Sequence, residues 1–147
     1  MSMTLEDSAL PRQARPVPAS PSSVLQQFNM KGKVLAVTGA SDGIGWAVAE
    51  AIAEAGGSLA LWYNTNDAAI SKGADLSRRC GISVRTYQVE VSDPAKVQQA
   101  VGKVVEDFGK LDVFVANAGM VISKGALDTS VEEYRKQVSV NGAILNI

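Results

Sequence analysis

The sequence predicts an α/β fold in which helices cover both faces of a doubly wound parallel sheet. Strand and helix patterns alternate strictly from about residue 30 onward. The first strand, Val34–Val37, is a continuous apolar run, which is typical of a strand buried on both faces. A glycine-rich segment, 39–45, links it to a helical pattern. Because ligands bind such sheets at the carboxyl ends of the strands, we expect the functional site there.

Four strands and four helices account for residues 30–147. The strands are predicted at residues 34–37, 58–63, 82–91 and 111–116. The helices are predicted at 44–55, 67–79, 94–108 and from 131 to the chain end, where Ile144 and Leu145 extend an apolar stripe begun by Val131, Tyr134 and Val138.

The helix ends carry local signals. Asp67 and Asp93 are predicted N-caps, Pro94 suits a first helical position and Gly109 a helix end. Ser130 and Glu133 have the spacing of a capping box.

Residues 1–29 hold four of the five prolines and show no hydrophobic period, so we expect a disordered tail. A short apolar patch in it, Val24, Leu25 and Phe28, is expected to dock on the domain.

Composition excludes several functions. The 14 basic residues are balanced by 15 acidic ones without a basic face, which argues against a nucleic-acid partner. No apolar run approaches the roughly 20 residues of a membrane span, and the N-terminus lacks a secretory signal, so a soluble, cytoplasmic protein is expected. With no histidine and Cys80 as the only cysteine, we predict no metal site and no imidazole-based triad.

The glycine-rich segment predicts a phosphate site. Gly39 permits a sharp turn out of the strand, Gly43 lets a pyrophosphate approach the main chain, and Gly45 lets the helix pack closely on the sheet. The first turn of the helix presents unpaired N–H groups and the positive end of its dipole at the same point. An anionic ligand is therefore expected.

Three motifs in order, Thr38-Gly39-x-x-x-Gly43-Ile44-Gly45, Asn117-Ala118-Gly119 and Val140-Asn141, resemble the short-chain dehydrogenase/reductase family. Leu61-Trp62-Tyr63-Asn64 and the run 112–119 are similar to its fungal mannitol dehydrogenases, sorbose reductases and carbonyl reductases. The resemblance implies a Rossmann-type dinucleotide-binding domain, with residues 30–147 as its N-terminal part. It also implies hydride transfer between a nicotinamide and a carbonyl or secondary alcohol, such as a polyol or keto-sugar.

Functional residues follow from this resemblance. The cofactor-binding set is Gly39, Ser41, Asp42, Gly43, Ile44, Gly45, Tyr63, Asn64, Glu90, Val91, Asn117, Ala118 and Gly119. Glu90 stands where the family has an aspartate that bonds the adenine amine, with the Val91 backbone beside it. Asn141 matches the catalytic asparagine that holds a water in the proton relay.

The cofactor is expected to be NADP rather than NAD. An NAD-binding acid would stand near Tyr63 and Asn64, and the first acid is Asp67. A carboxylate about 4 Å from a 2′-phosphate would cost about 4 kcal/mol per charge pair at an effective dielectric near 20. Asp42 is unfavourable for NADP binding, because many NADP-using relatives have arginine or lysine at this position.

The family's catalytic serine and Tyr-x-x-x-Lys pair lie beyond the last helix. Tyr63, Tyr87 and Tyr134 are followed four residues later by Asp67, Val91 and Val138, never by lysine. We therefore expect a fragment of a longer, homo-oligomeric reductase whose later strands are absent, inactive alone. The alternative is a non-catalytic dinucleotide-binding or dimerising remnant. Mannitol or fructose, sorbose, xylulose and aryl ketones remain open as substrates.

Overall fold

The computed structural model of the protein describes residues 23–125 and 127–142, and it confirms the α/β prediction. The elements in chain order are α1 (Val24–Gln27), β1 (Val34–Thr38), α2 (Gly43–Glu54), β2 (Ser58–Tyr63), α3 (Ala68–Cys80), β3 (Val84–Gln88), α4 (Pro94–Phe108), β4 (Val113–Val115) and α5 (Val131–Gly142).

The four strands form one parallel sheet in the order β3-β2-β1-β4. Val37 in β1 lies opposite Leu61 on one side and Val115 on the other. The chain thus moves outward from β1 to β3 and then crosses back to place β4 against the free side of β1. The strand order reverses between β1 and β4, and open α/β sheets hold their ligands at such a reversal.

Two apolar cores lie on opposite faces of the sheet. Leu35 and Leu61 pack with Ala49, Ile52 and Leu76 of α2 and α3. The alternate positions on β1 and β2 face α4, where Trp62 is fully buried and meets the Phe114 ring edge-on at 5.2 Å between centroids. This alternation of faces makes the sheet doubly wound.

Several predicted helix ends are confirmed in atomic detail. The Asp93 carboxylate accepts hydrogen bonds from the Ala95 and Lys96 amides at 3.0 and 3.3 Å, and α4 begins at Pro94. Gly109 ends that helix in the left-handed region, with φ 79°. The Ser130 and Glu133 side chains accept each other's backbone N–H bonds, as the capping box requires.

Other boundaries differ from the predictions. β3 and β4 are shorter than expected, since β3 pairs only with β2 and β4 only with β1 among the described residues. The predicted cap Asp67 makes no capping bond, and the Asn66 side chain accepts from the Ala68 amide at 3.1 Å instead.

The two ends of the described chain also depart from expectation. A single-turn helix, α1, lies within the segment expected to be disordered, and its neighbouring apolar patch is exposed, not docked: Val24, Leu25 and Phe28. The predicted apolar stripe of α5 is exposed too, and α5 has no buried residue. Residues 1–22, Ile144 and Leu145 lie outside the described residues. Within the described ranges, no helix has the length and apolar character needed to cross a membrane.

Asp112 fixes β4 to the start of β1. Its Oδ2 atom accepts from the Val34 amide at 2.8 Å and lies 2.9 Å from the Lys110 ammonium, while the Asp112 amide donates to the Val34 carbonyl at 2.9 Å. The Lys110 hydrogen bond, followed by the Val34 amide, lowers the pKa of Asp112 below its ordinary 3.8. A depressed pKa means that folding favours the ionised carboxylate.

Asp112→Asn should therefore lower the free energy of unfolding at neutral pH, because it keeps an acceptor for Val34 but removes the charge that Lys110 meets. The loss relative to wild type should be complete above the unfolded-state pKa and should shrink as the pH falls through the lower folded-state pKa. Urea unfolding of both proteins, at neutral pH and at an acidic pH below that folded-state pKa, measures this difference in the free energy of unfolding. Asp67→Asn, at a carboxylate without a capping bond, is the control and should show a smaller change.

Candidate functional site

A cleft of about 470 Å³ opens at the carboxyl ends of the strands. Four loops contribute to it, and the lining residues are Gly39, Trp62, Tyr63, Asn64, Thr65, Val89, Glu90, Val91, Ala118, Gly119, Met120, Lys136 and Val140. Seven of the residues predicted for the cofactor site are in this wall, namely Gly39, Tyr63, Asn64, Glu90, Val91, Ala118 and Gly119. A larger concavity, about 850 Å³, lies along the β3 edge and includes none of them.

The glycine-rich loop requires glycine for two different reasons. Gly39 and Gly43 have φ 65° and 57°, a backbone region that other residues rarely adopt. A Cβ on Gly43 would point into open space, whereas one on Gly45 would collide with the Gly39 carbonyl oxygen and lie 2.5 Å from Asn117 Nδ2. The helix α2 therefore approaches the end of β1 more closely than any side chain would allow.

The N-terminus of α2 is open to solvent. Ile44 in its first turn is 76% exposed, and the side chain of the residue before the helix, Asp42, makes no capping bond. The first N–H groups of a helix have no partner within the helix itself. The Gly43 amide meets the Asp42 carboxylate, and the Ile44 and Gly45 amides that follow it are available to an anion above the loop.

Thr38, at the end of β1, joins this loop to the one after β4. Its buried hydroxyl accepts from the amides of Asn117 and Ala118 at 2.9 and 2.8 Å. In return, Asn117 Nδ2 donates to the Thr38 carbonyl at 3.0 Å and reaches the Gly39 carbonyl at 3.4 Å. Asn117 thus sets the distance between the two loops rather than facing the cleft.

Ser41 and Asp42 follow one another in the loop, the first buried and the second exposed. The Ser41 hydroxyl donates to the Asn66 carbonyl at 2.5 Å, which ties the loop to the segment after β2. The Lys72 ammonium donates to the Ser41 carbonyl at 2.8 Å and lies 3.5 Å from the Asp42 carboxylate. The Gly43 amide, followed by Lys72, lowers the pKa of Asp42. Asp42 therefore stays ionised next to a cation.

Asn64 and Glu90 face each other across the cleft wall. Asn64 Nδ2 donates to Glu90 Oε2 at 2.9 Å, and the Ser92 hydroxyl donates to Glu90 Oε1 at 2.7 Å. The Ser92 hydroxyl is the main cause that lowers the pKa of Glu90, and Asn64 adds to it. Each oxygen of this carboxylate thus has a donor.

Asn141 is held by the loop after β4. Its Oδ1 accepts from the Met120 amide at 2.8 Å, and its Nδ2 donates to the Met120 carbonyl at 3.0 Å. Gln137, one turn earlier on α5, accepts from the Ile122 amide at 2.8 Å. These polar contacts place α5 beside the cleft.

Sequence reasoning did not select several of these residues as parts of the site. They are Thr38, Trp62, Thr65, Lys72, Val89, Met120, Lys136 and Val140. Thr38 stood at the start of the glycine motif, so its place after a buried strand was a usable signal. Lys72 gave none, because its contact with Ser41 joins residues 31 positions apart. Among the described residues no group of three or more His, Cys, Asp or Glu side chains could hold a metal ion.

A doubly wound parallel sheet, a glycine loop before an open helix N-terminus and a cleft at the strand ends define a Rossmann-like α/β domain. The chain belongs to the short-chain dehydrogenase family, whose model matches residues 33–144.

Individual relatives agree with this assignment. The chain is 46% identical over 108 residues to a sorbose reductase of Candida albicans, covering 74% of this chain and 38% of that protein. It is 39% identical over 132 residues to a probable NADP-dependent mannitol dehydrogenase of Yarrowia lipolytica, covering 87% and 47%. The crystal structure of an NADPH-dependent 3-quinuclidinone reductase from Rhodotorula rubra matches with a TM-score of 0.80 and 45% identity, covering 86% and 48%. The chain thus spans about half the length of these proteins or less.

Thr38→Val should separate the two loops. The substitution keeps the shape of the side chain but leaves the Asn117 and Ala118 amides without their acceptor, at a cost of about 1–3 kcal/mol in the free energy of unfolding. Urea unfolding measures this loss. Thr38→Ser keeps the hydroxyl and should recover most of it. Equal stability of the Val variant and wild type would contradict the role given to this hydroxyl.

Proposed function

We propose that this chain is the cofactor-binding part of an NADP(H)-dependent reductase that interconverts a carbonyl and a secondary alcohol. The observation that carries the proposal is the glycine loop, whose positive-φ glycines open onto the free N-terminus of α2 beside a cleft built from four loops. A nucleotide diphosphate matches that arrangement, since it brings negative charge to unpaired amide hydrogens.

The cradle has room for such a group. A Cβ placed on Gly43 would meet no protein atom within 4 Å, and Ile44 and Gly45 continue the first turn of α2, where the amides have no partner within the helix. Bound NADP(H) would supply the hydride for the reaction. The Gly39, Ala118 and Gly119 backbones would line the adenosine side of the cleft, with Tyr63 and Val91 in the same wall.

Selectivity for NADP rests on charge. The sequence has no carboxylate at the end of β2, where Tyr63 and Asn64 are found and where NAD-binding proteins have one. The nearest carboxylate is that of Glu90 from the loop after β3, and its charge is engaged by Asn64 at 2.9 Å and by Ser92 at 2.7 Å. Two of the similar proteins carry NADP or NADPH in their names. Glu90 would bond the adenine amine only by sharing its Oε2 atom, which accepts from Asn64.

The substrate is proposed from the relatives alone. Those named sorbose reductase and mannitol dehydrogenase favour a keto-sugar such as sorbose or fructose, or the corresponding polyol. The expected homo-oligomer and cytoplasmic location stay predictions.

A second candidate is a dinucleotide-binding or dimerising protein without catalysis. One observation bears on it: both polar atoms of the Asn141 side chain bond the Met120 backbone. A water in a proton relay would use the second lone pair of Oδ1 or the second N–H of Nδ2, and it would share Asn141 with Met120.

Nucleotide binding is tested by two matched glycine variants. Gly43→Ala and Gly81→Ala each put a Cβ on a glycine with positive φ, 57° and 66°, and neither Cβ would meet protein atoms within 4 Å. Both should carry a similar backbone strain, about 1–2 kcal/mol. Only Gly43→Ala should weaken NADP+ binding in calorimetric titration, because its Cβ projects into the phosphate cradle. Equal affinity for the two variants would contradict the proposed cradle.

Turnover by residues 1–147 tests whether this chain lacks a proton donor, and its absence is expected under both candidate functions. Purified residues 1–147 should bind NADPH but show no oxidation of it with fructose or sorbose, because the chain lacks the Tyr-x-x-x-Lys proton donor. Absorbance of the reduced nicotinamide follows the reaction. Measurable turnover would mean that another group in this chain donates the proton, and it would exclude the non-catalytic candidate.

A further inference from the structure

Lys72 is a partly buried cation at the rim of the glycine-rich loop. Its ammonium donates to the Ser41 carbonyl at 2.8 Å, lies 3.5 Å from Asp42 Oδ1 and stands 5.0 Å from the centroid of the Trp46 ring. The side chain is 35% exposed, so part of it meets solvent. Three contacts thus hold the Lys72 ammonium, which belongs to α3, against the glycine-rich loop and the first turn of α2.

The ammonium lies at the seam between two loops. The loop after β1 and the loop after β2 meet where the Ser41 hydroxyl donates to the Asn66 carbonyl. In a doubly wound nucleotide-binding sheet, the residues after the second strand contact the adenosine ribose at its 2′ position. Asn64 and Thr65, which line the cleft, occupy that place here. A group on the 2′ oxygen would therefore extend toward the seam.

If Lys72 were absent, the negative charge of Asp42 at the seam would oppose binding of a phosphate. Asp42 is ionised and its side chain is 82% exposed, so it would repel a second anion. An ammonium group has three donor hydrogens, and Ser41 and Asp42 account for two of them. The third is available to a ligand oxygen, and the positive charge offsets Asp42.

Building on the proposed function, we propose that Lys72 is the residue that selects NADP over NAD, by bonding the 2′-phosphate at the seam between the two loops. Asp42 weakens that selection by competing for the same ammonium. Lys136 also lines the cleft, from α5, whereas Lys72 is held at the seam by its contacts with Ser41 and Asp42.

The test compares two nucleotides that differ only in the 2′-phosphate, adenosine 2′,5′-bisphosphate and adenosine 5′-monophosphate. Each is titrated calorimetrically into residues 1–147. Lys72→Gln should reduce affinity for the bisphosphate by roughly tenfold to a hundredfold, the range expected for one charge-assisted hydrogen bond, and leave affinity for the monophosphate nearly unchanged. Lys72→Arg should retain the preference. Asp42→Asn should increase it, because the ammonium is released.

Two controls distinguish a role of Lys72 in nucleotide selection from a purely structural role. Lys103→Gln removes a charge from α4 and should change neither affinity. Thermal unfolding of each variant reports stability, which a lysine that merely joined α3 to the loop would affect without changing the ratio of the two affinities.

The outcomes distinguish failure of the proposed function from failure of the role given to Lys72. Wild-type protein that binds neither nucleotide would overturn the proposed function together with this inference. Wild-type preference for the bisphosphate that survives Lys72→Gln would overturn the inference alone, and loss of that preference in Lys136→Gln would assign the 2′-phosphate to α5. Should Lys72→Gln not fold, an unchanged preference in Asp42→Asn would count against the proposal.

Discussion

The structure depends on one close approach, that of helix α2 to the end of β1. Because residue 45 is glycine, the Gly39 carbonyl and the Asn117 amide group occupy space that a Cβ would take. Thr38 then bonds the two amides that begin the loop after β4. The glycine loop and the loop after β4 are therefore parts of one packed unit, and a shift in either loop would move the other.

The two carboxylates near the cleft, Asp42 and Glu90, already have partners. Asp42 lies next to Lys72, and the two oxygens of Glu90 accept from Asn64 and Ser92. An exposed ion pair such as Asp42 with Lys72 adds little to stability, because solvent screens the two charges. In the proposed site these contacts would act on ligand selection, because a ligand must compete with a partner already present. A nucleotide with both an amine and a 2′-phosphate would offer partners to Glu90 and Lys72, whereas one without the phosphate would leave Lys72 with Asp42.

The sequence was sufficient where the deciding physics is local. The apolar run at residues 58–63 predicted β2 at its observed bounds, and the caps at Asp93 and Ser130 depend only on residues within the next turn. Strand ends were less predictable, because β3 and β4 stop where pairing stops, which is a property of the sheet order. Lys72 was missed for the same reason, since its partner Ser41 comes near only after β2 has paired with β1.

The two parts of the site differ in how firmly the fold holds them. The glycine loop lies between β1 and α2, whose buried side chains contribute to the packed cores. Asn141 instead belongs to α5, which has no buried residue and is attached through polar contacts such as those with Met120 and Ile122. Polar contacts at exposed positions are readily exchanged for water. The glycine loop, the proposed nucleotide cradle, is thus fixed by packing, while the position of Asn141 depends on polar contacts that water or a neighbouring surface can replace.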